Sequence, residues 1–513
     1  MMFHESVFCG KQLRLSVSGA SHASRIGMRL SGFTAGFPVD ESRLASFMER
    51  RAPGRDALST SRREPDKVLF TKGVRNGATD GEEICAVIKN VNYRPGDYGS
   101  FNTVPRPGHA DYPMWIKTGR IPSGGGAHSG RMTASMCIAG GICLQWLGAR
   151  GIEISARAIE IGGSADMMEE RILSAKQDGD SVGGIIEAVV TGLPPGLGGP
   201  MFDGIESRLS AALFGIPGVK GIEFGAGFAA AGMRGSENND AFEIVDGTVR
   251  TVGNNHGGLL GGMTSGMPLR LRLAMKPTPS IFKEQRSVDL ETGDNVPFTV
   301  KGRHDPCIAL RAVPVVEALC ALALADELMF DECSRPRICL TLTAATIDEN
   351  LQTLRRERAF VDMAELRPDA LDESEWRMLS GFPAAAGVPV ILTVRRKCDG
   401  GFADLSDARR KDIFKSALTG GGRYAFVDFE EDFHDDELER LARGAGCTII
   451  RSVHKFDGRI CNVREKLFAL KGNGDEMPKL AFKVDSAAET ADVFAELSEP
   501  PPFPYIVCAM GRI

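Results

Sequence analysis

"GRMTASMCIAGGICLQWLGARG", residues 130–151, is an apolar run flanked by single arginines, Arg131 and Arg150. Its interior, "MCIAGGICLQWLG", is apolar but shorter than the roughly 18 residues that a membrane span requires. It therefore reads as a helix buried inside a protein core. A second stretch of the same kind, "AVPVVEALCALALADELMF" (residues 312–330), closes a unit near Phe330. Around these helices Gly and Pro punctuate short apolar runs. "KVLFTKGV", "EICAVIKNV", "GIIEAVVTGL" and "MPLRLRLAM" read as strands, several with alternating character. Sheets sandwiching buried helices satisfy this pattern, which predicts an α+β fold of β-α-β sandwich type.

The texture changes at "DECSRPRICLTLTAATIDENLQTLRRERA", where a polar, Pro-containing joint precedes a strand and a charged amphipathic helix. From there strands and helices alternate: "AFVDMAEL", "PVILTVRR", "YAFVDFE", "CTIIRSV", "KLAFKV" and "YIVCAM" are the strand candidates. That alternation predicts a parallel α/β architecture. The boundary is placed near residue 335, giving domains 1–334 and 335–513. No internal repeat is visible.

A chain of 513 residues exceeds one ordinary core. Its 43% hydrophobic and 25% charged residues fit an ordered globular protein. The net charge of -6 argues against general binding to nucleic acid or membrane surfaces. The opening "MMFHESVFCGKQLRLSV" lacks a basic start followed by an apolar core, so no signal peptide is read. The twelve cysteines form no C-x-x-C pair and are expected to be reduced core residues of a cytoplasmic protein.

The segment "RPGHADYPMWIKTGRIPSGGGAHSGRMTAS" (residues 106–135) puts two histidines, four basic residues and a glycine triplet into thirty positions. Basic clusters recur at residues 50–57 and 59–66. Glycine-rich or cationic segments follow in "MRGSENND", "NNHGGLLGG", "AMKPTPS" and "KGRHDPC". A charge run alone is a solvated face, and a glycine run alone is a turn. Together they suit a multiply charged anion. Glycines let the backbone N–H groups approach phosphate oxygens, and guanidinium forks hold the same oxygens in pairs. Neither G-x-x-x-x-G-K-[ST] nor G-x-G-x-x-G is present, so this is no standard nucleotide fold. Five of the eight histidines (His22, His109, His128, His256 and His304) sit in these segments, where they read either as structural groups or as proton carriers.

"GASHASRIGMRLSGFTAGFPVD", "RRAPG", "RREPDKV", "PRPGHADY", "GGGAHSGRMTA", "MRGSENND", "NNHGGLLGG", "KPTPSI" and "KGRHDPCIALRAVPVVEA" together resemble chorismate synthase, in the right order over about residues 5–330. The resemblance implies a lyase that needs reduced FMN but consumes no net electrons. It would convert 5-enolpyruvylshikimate 3-phosphate to chorismate by 1,4-anti elimination of phosphate. It implies that His22 assists the departing phosphate, that His109 protonates or steadies the flavin, and that Asp305 and Arg303 lie beside flavin and substrate. Arg51, Arg106 and Arg131 would face the substrate. The flavin would lie against the glycine triplet, Ala127, His128, Ser129, Glu237, Asn238, Gly261, Lys276, Pro277, Thr278, Pro279 and Ser280. A second cation of the family's "RRPG" turn is Ala57 here, with Arg55 nearby, and His128 replaces a flavin-phosphate cation. A homotetramer is implied, with NADPH serving only flavin reduction and a separate reductase as one source of reduced flavin. The rivals are a flavin oxidoreductase and a non-catalytic anion-binding module.

In the second domain Lys479 begins a strand-like segment with apolar neighbours, a setting expected to depress its pKa and free a nucleophilic amine. "ICLTLTAATIDENL", "MAELRPDAL", "ILTVRRKCDGG", "YAFVDFE", "IIRSVHKF", "MPKLAFKV" and "CAMGRI" resemble type I 3-dehydroquinate dehydratase, a (β/α)8 barrel with its site at the strand C-termini. The resemblance makes Lys479 the Schiff-base lysine and His454 the general acid/base. Glu365, Arg367, Arg395 and Asp399 would be substrate-binding or supporting groups, acting on 3-dehydroquinate without a metal. "SVHKF" carries Lys where the family has Asp, and "DGG" replaces "EGG". The sequence stops at "CAMGRI", before the family's Ser-Arg pair and eighth strand, so an incomplete barrel with an unpaired edge is expected. The region is then a fragment of a longer dehydratase or a degenerate structural appendage.

Overall fold

The computed structural model describes residues 5–54, 58, 65–90, 103–300, 304–334, 337–471, 476–498, 501 and 503–511. The chain divides into two compact units, Met1–Ser334 and Arg335–Ile513.

In the first unit the Thr133–Gly148 and Ala309–Ser334 helices pack against each other, and both are buried over most of their length. Neither carries a polar stripe, so each needs cover on more than one side. Antiparallel sheets provide it. One has the strand order Ser6–Cys9, Arg14–Gly19, Arg25–Ser31, Ile84–Lys89, Val68–Lys72. The other has the order Val219–Phe224, Leu269–Met275, Gly184–Thr191, Glu153–Ile161. The Thr133–Gly148 helix touches strands of both sheets, and the Ala309–Ser334 helix packs on the second. The helix pair depends on Gly140, where an added Cβ would stand 2.3 Å from the Ala318 carbonyl oxygen. Buried Asp326 of the second helix accepts from the backbone N–H groups of Lys11, Gln12 and Leu13 at 2.9, 2.8 and 2.6 Å. The first hairpin is thereby pinned to the core. The Glu41–Arg51 helix starts at Asp40, whose carboxylate accepts from Ser42 N–H and Arg43 N–H, each at 2.9 Å. Its last residue, Arg51, is buried at the end of that run.

The second unit is a parallel sheet of seven strands in chain order: Cys339–Leu342, Met363–Leu366, Val390–Thr393, Phe426–Glu430, Thr448–Lys455, Met477–Lys483 and Ile506–Met510. It curls into a half-barrel, and among the described residues the first and last of these strands form its edges. Helices fill the connections, with Thr346, Ser406, Asp435 and Ser486 capping four of them. The outer face is apolar and covered by the helices, whereas the inner face carries buried charged side chains beside a few apolar ones. Met363, Ile391 and Ile450 form a small inner cluster. Leu366, Leu392, Val427 and Ile449 face the larger core.

All twelve cysteines are free thiols, but only Cys137, Cys143, Cys307, Cys320 and Cys447 are buried. The expectation of core cysteines is corrected for the other seven, which are exposed or half-buried. Among the described residues no helix is long and apolar enough to cross a membrane.

Candidate active sites

A cavity of about 660 Å³ opens in the first unit where loops from distant parts of the chain converge. Gly124, Gly125 and Gly126 have φ of 59°, 89° and 54°, a region open mainly to glycine. The need is steric as well at Gly124, where a Cβ would stand 2.2 Å from His22 Nε2. Ser21 ties its hydroxyl to Gly124 O at 3.1 Å and its N–H to Gly126 O at 3.1 Å. The triplet thus seats His22 in the cavity wall.

The cations there are organised by carboxylates. Asp66 accepts from Arg51 Nη1 at 2.7 Å and also from Arg131 Nη1. Arg51 further donates to Thr133 Oγ1 and Gly130 O, both at 3.1 Å, and Arg131 to Asn90 Oδ1 at 3.0 Å. Burial and the nearby Arg311 guanidinium pull the Arg51 pKa down against the pull of Asp66. Arg106 grips Asp111 with Nε at 2.6 Å and Nη2 at 2.8 Å. Arg311 pairs with Asp305 at 2.5 Å. Lys276 donates to Gly108 O at 2.7 Å, and its pKa is lowered by burial and then by Lys220.

His109 lies between Pro107 O at 3.1 Å from Nδ1 and Ser280 Oγ at 2.8 Å from Nε2. Burial first, then the Arg106 charge, pushes its pKa down to about 4, so the ring is neutral near pH 7. Ala127, Ser129, Pro279 and Ser280 also line the cavity, and the Thr278 hydroxyl there is buried without a hydrogen-bond partner in the described structure. His128 reaches the rim, with Nε2 3.3 Å from Met114 Sδ. Pro277 packs instead near Gly183.

In the second unit the site forms on the inner face near the strand C-termini. Asp428 is fully buried and accepts from Arg395 Nη1 at 3.0 Å, Arg395 Nη2 at 2.8 Å, Ser452 Oγ at 2.6 Å and Lys479 Nζ at 2.8 Å. Glu365 Oε1 lies 3.6 Å from Lys479 Nζ and 3.9 Å from Arg395 Nη2. Burial would raise the Asp428 pKa, but Arg395 and Lys479 outweigh it and hold the carboxyl far below its usual range. Glu365 is held down by Lys479 against its own burial. His454 is pushed down to about 4 by burial and by Arg395, and its Nδ1 is buried without a hydrogen-bond partner among the described residues.

The expectation of a depressed Lys479 is corrected. Burial does lower its pKa, but Asp428 and Glu365 together raise it above the ordinary value. The strand alternation explains the error: Leu480 and Phe482 point to a separate apolar core, whereas Lys479 points inward onto carboxylates of other strands.

The Chorismate synthase family profile matches residues 13–329. The chain belongs to the chorismate synthase family. It is 43% identical over 348 residues to chorismate synthase of Korarchaeum cryptofilum, covering 62% of this chain and 96% of that protein. It is 44% identical over 327 residues to the Chitinophaga pinensis enzyme, covering 63% and 96%. A crystal structure of chorismate synthase superimposes with a TM-score of 0.50 at 26% identity, covering 63% of this chain and 93% of that one. Residues 338–513 match the Type I 3-dehydroquinase family, so the chorismate synthase domain is fused to a type I 3-dehydroquinate dehydratase domain.

Of the residues assigned to the chorismate synthase site, His22, Arg51, Arg106, His109, Ala127, His128, Ser129, Arg131, Lys276, Thr278, Pro279, Ser280 and Asp305 line the one cavity. Arg51, Arg106 and Arg131 do so with guanidinium groups bonded to Asp66 or Asp111. Glu237 and Asn238 lie apart in a short helical turn, where Asn255 Nδ2 donates to their carbonyls at 3.2 and 3.4 Å. Gly261 is apart too, at an open hairpin with φ of 63°. His256 ties these loops together through Asp240 and through Ser265 Oγ at 3.0 Å. Arg303, Arg55 and Ala57 lie outside the described residues.

In the dehydratase domain Glu365, Arg395, His454 and Lys479 converge. Arg367 turns to Asp369 at 2.9 and 2.7 Å, and Asp399 accepts from Arg396 at 2.6 Å. Sequence reasoning missed Asp66, Asp111 and Arg311 in the first site, and Asp428, Glu430 and Ser452 in the second. The carboxylates carried a signal: each lies inside a motif already singled out, and Asp428 interrupts the apolar run of "YAFVDFE".

Proposed function

We propose that the first unit binds reduced FMN and expels phosphate from 5-enolpyruvylshikimate 3-phosphate, yielding chorismate. The observation that carries this reading is a single cavity joining His22 and His109 with cations held in place by buried carboxylates. Its residues fit a flavin mononucleotide: bare backbone at the glycine triplet, the unpartnered Thr278 hydroxyl, and Lys276 and Lys220 on the same wall. The chemistry reduced FMN supplies when bound is transient electron density for the breaking carbon–oxygen bond, recovered within the turnover. Departing phosphate gains negative charge, which Lys276, Lys220 and Arg311 disperse without reorganising. His22 delivers a proton to the leaving oxygen, and neutral His109 accepts or returns one beside the flavin. Glu237, Asn238 and Gly261 contact a flavin only if a second copy presents them. Exposed Phe228, Phe242 and Ile244 on neighbouring segments support such a homotetramer. NADPH enters only through flavin reduction, which a separate reductase can supply, and the location is cytoplasmic. Anaerobic incubation with chemically reduced FMN and 5-enolpyruvylshikimate 3-phosphate should release phosphate; no release from folded protein would refute the reading.

The second unit is proposed to dehydrate 3-dehydroquinate to 3-dehydroshikimate. The buried Lys479–Asp428–Arg395 cluster favours this over a structural appendage, because a buried ion pair contributes little net stability compared with apolar packing of the same volume. Lys479 starts as an ammonium and must lose its proton before attacking the ketone. His454, neutral above about pH 4, is the base beside it. The amine adds to the ketone, and the protonated His454 returns its proton to the carbinolamine hydroxyl, which leaves as water to form the iminium. His454 then removes the adjacent proton and passes it to the departing hydroxyl, which leaves as water, and hydrolysis of the product iminium frees Lys479. Borohydride trapping with 3-dehydroquinate should place the adduct on Lys479, and an unmodified Lys479 would refute it.

A further inference from the structure

His109 is held at both ring nitrogens, and its partners differ in what they can do. Pro107 O, 3.1 Å from Nδ1, only accepts, so Nδ1 carries hydrogen in either protonation state. The lone pair of the neutral ring therefore sits on Nε2, and the Ser280 hydroxyl at 2.8 Å must donate to it.

The surroundings hold this arrangement rigidly. Asp111 accepts from Arg106 backbone N–H at 3.0 Å as well as from its guanidinium, which fixes the turn that carries Pro107 O. Gly108 presses on the other segment: with φ of 71°, its added Cβ would stand 2.9 Å from Pro279 Cβ. Lys276 Nζ bonds Gly108 O at 2.7 Å. Ser280 itself is 8% exposed. Two segments far apart in sequence are thus clamped with the Ser280 hydroxyl on the imidazole.

We infer that Ser280 is the positioning residue of His109: it fixes the Nδ1–H tautomer and relays protons between Nε2 and the cavity. A proton arriving at Ser280 Oγ from a reacting group is matched by passage of the hydroxyl proton to Nε2. The ring becomes an imidazolium whose Nε2–H now donates to Oγ, and the reverse transfer resets both groups. No electrons move. The charged groups facing the ring are Arg106 and Lys276, which oppose its protonation, and Asp111, which favours it. The relay's part in turnover rests on the lyase reading above, whereas the tautomer does not.

The test uses the full chain without flavin. Diethyl pyrocarbonate acylates an unprotonated imidazole nitrogen, and modification of His109 can be followed by peptide mass spectrometry against pH. Ser280→Ala removes the donor from Nε2, so His109 should react roughly two- to tenfold faster near neutrality, the span of one neutral hydrogen bond. Its acid inflection should move to higher pH, because a donor to the neutral ring is gone. Ser280→Thr keeps a hydroxyl and should match the wild type. Equal rates for wild type and Ser280→Ala, or a Thr variant as fast as the Ala variant, would overturn the inference. With flavin added, Ser280→Ala should lower kcat at saturating flavin. A weaker flavin Kd with unchanged kcat would make Ser280 a mere cofactor contact and overturn the relay. If wild type releases no phosphate while the modification contrast holds, the lyase reading fails and the tautomer assignment stands.

Discussion

Asp66 is one carboxylate between two buried guanidinium groups, those of Arg51 and Arg131. Removing it leaves both cations buried without their shared partner, a loss on the order of 3–5 kcal/mol for a broken buried pair. Asp66→Ala should therefore lower the unfolding free energy of the first unit by an amount of that size, measured by urea denaturation. A cost below about 1 kcal/mol would mean that water replaces the carboxylate. In the second unit Asp428 and Glu365 raise Lys479. Asp428→Asn should consequently move the pH inflection of borohydride trapping to lower pH, and an unmoved inflection would contradict the assigned cause. His454 titrates from an ordinary 6.5 down to about 4 in the folded state. The unfolded chain binds that proton first, so this contribution to stability is complete above pH 6.5 and lost as pH falls to about 4. It amounts to about 3 kcal/mol. His454→Gln should flatten the acid limb of the stability profile by that amount, measured by urea unfolding at several pH values. At this scale the sequence showed residue types but not partners. Lys479 looked apolar because its chain neighbours are; the carboxylates that set its charge come from other strands.

Elements were more legible. An all-apolar stretch too short for a bilayer had to be a covered helix, and Thr133–Gly148 is one. Period-two runs bounded by Gly and Pro became the sheet strands Val68–Lys72, Ile84–Lys89, Gly184–Thr191 and Leu269–Met275. What periodicity could not reveal is the distance between helices. Gly140 looks like a defect in a helix, yet its missing side chain sets the contact with Ala318. Gly140→Ala should separate the two central helices and destabilise the first unit by roughly 1–3 kcal/mol, as overpacking does. An unchanged thermal midpoint would show that the pair can shift freely.

For the whole molecule, the change from Gly-punctuated strands to regular strand–helix alternation marked the boundary that separates Met1–Ser334 from Arg335–Ile513. The grouping of functional segments was less legible: motif order implied one flavin site, whereas the chain folds Glu237, Asn238 and Gly261 away from the cavity lined by His22, His109 and Lys276. Each unit has its own apolar core. FMN at 100 times its Kd should thus raise the stability of the first unit by about 2.7 kcal/mol and leave the unfolding of the second unmoved. A shift of both transitions would mean that the units unfold as one. Phosphate expulsion with no net redox is distinguished from oxidoreduction by counting phosphate released per flavin oxidised. The anaerobic reaction contains the full chain, reduced FMN and 5-enolpyruvylshikimate 3-phosphate. Many phosphates per flavin are expected, with the flavin still reduced at the end. One flavin oxidised per product, or no phosphate from folded, flavin-bound protein, would contradict this.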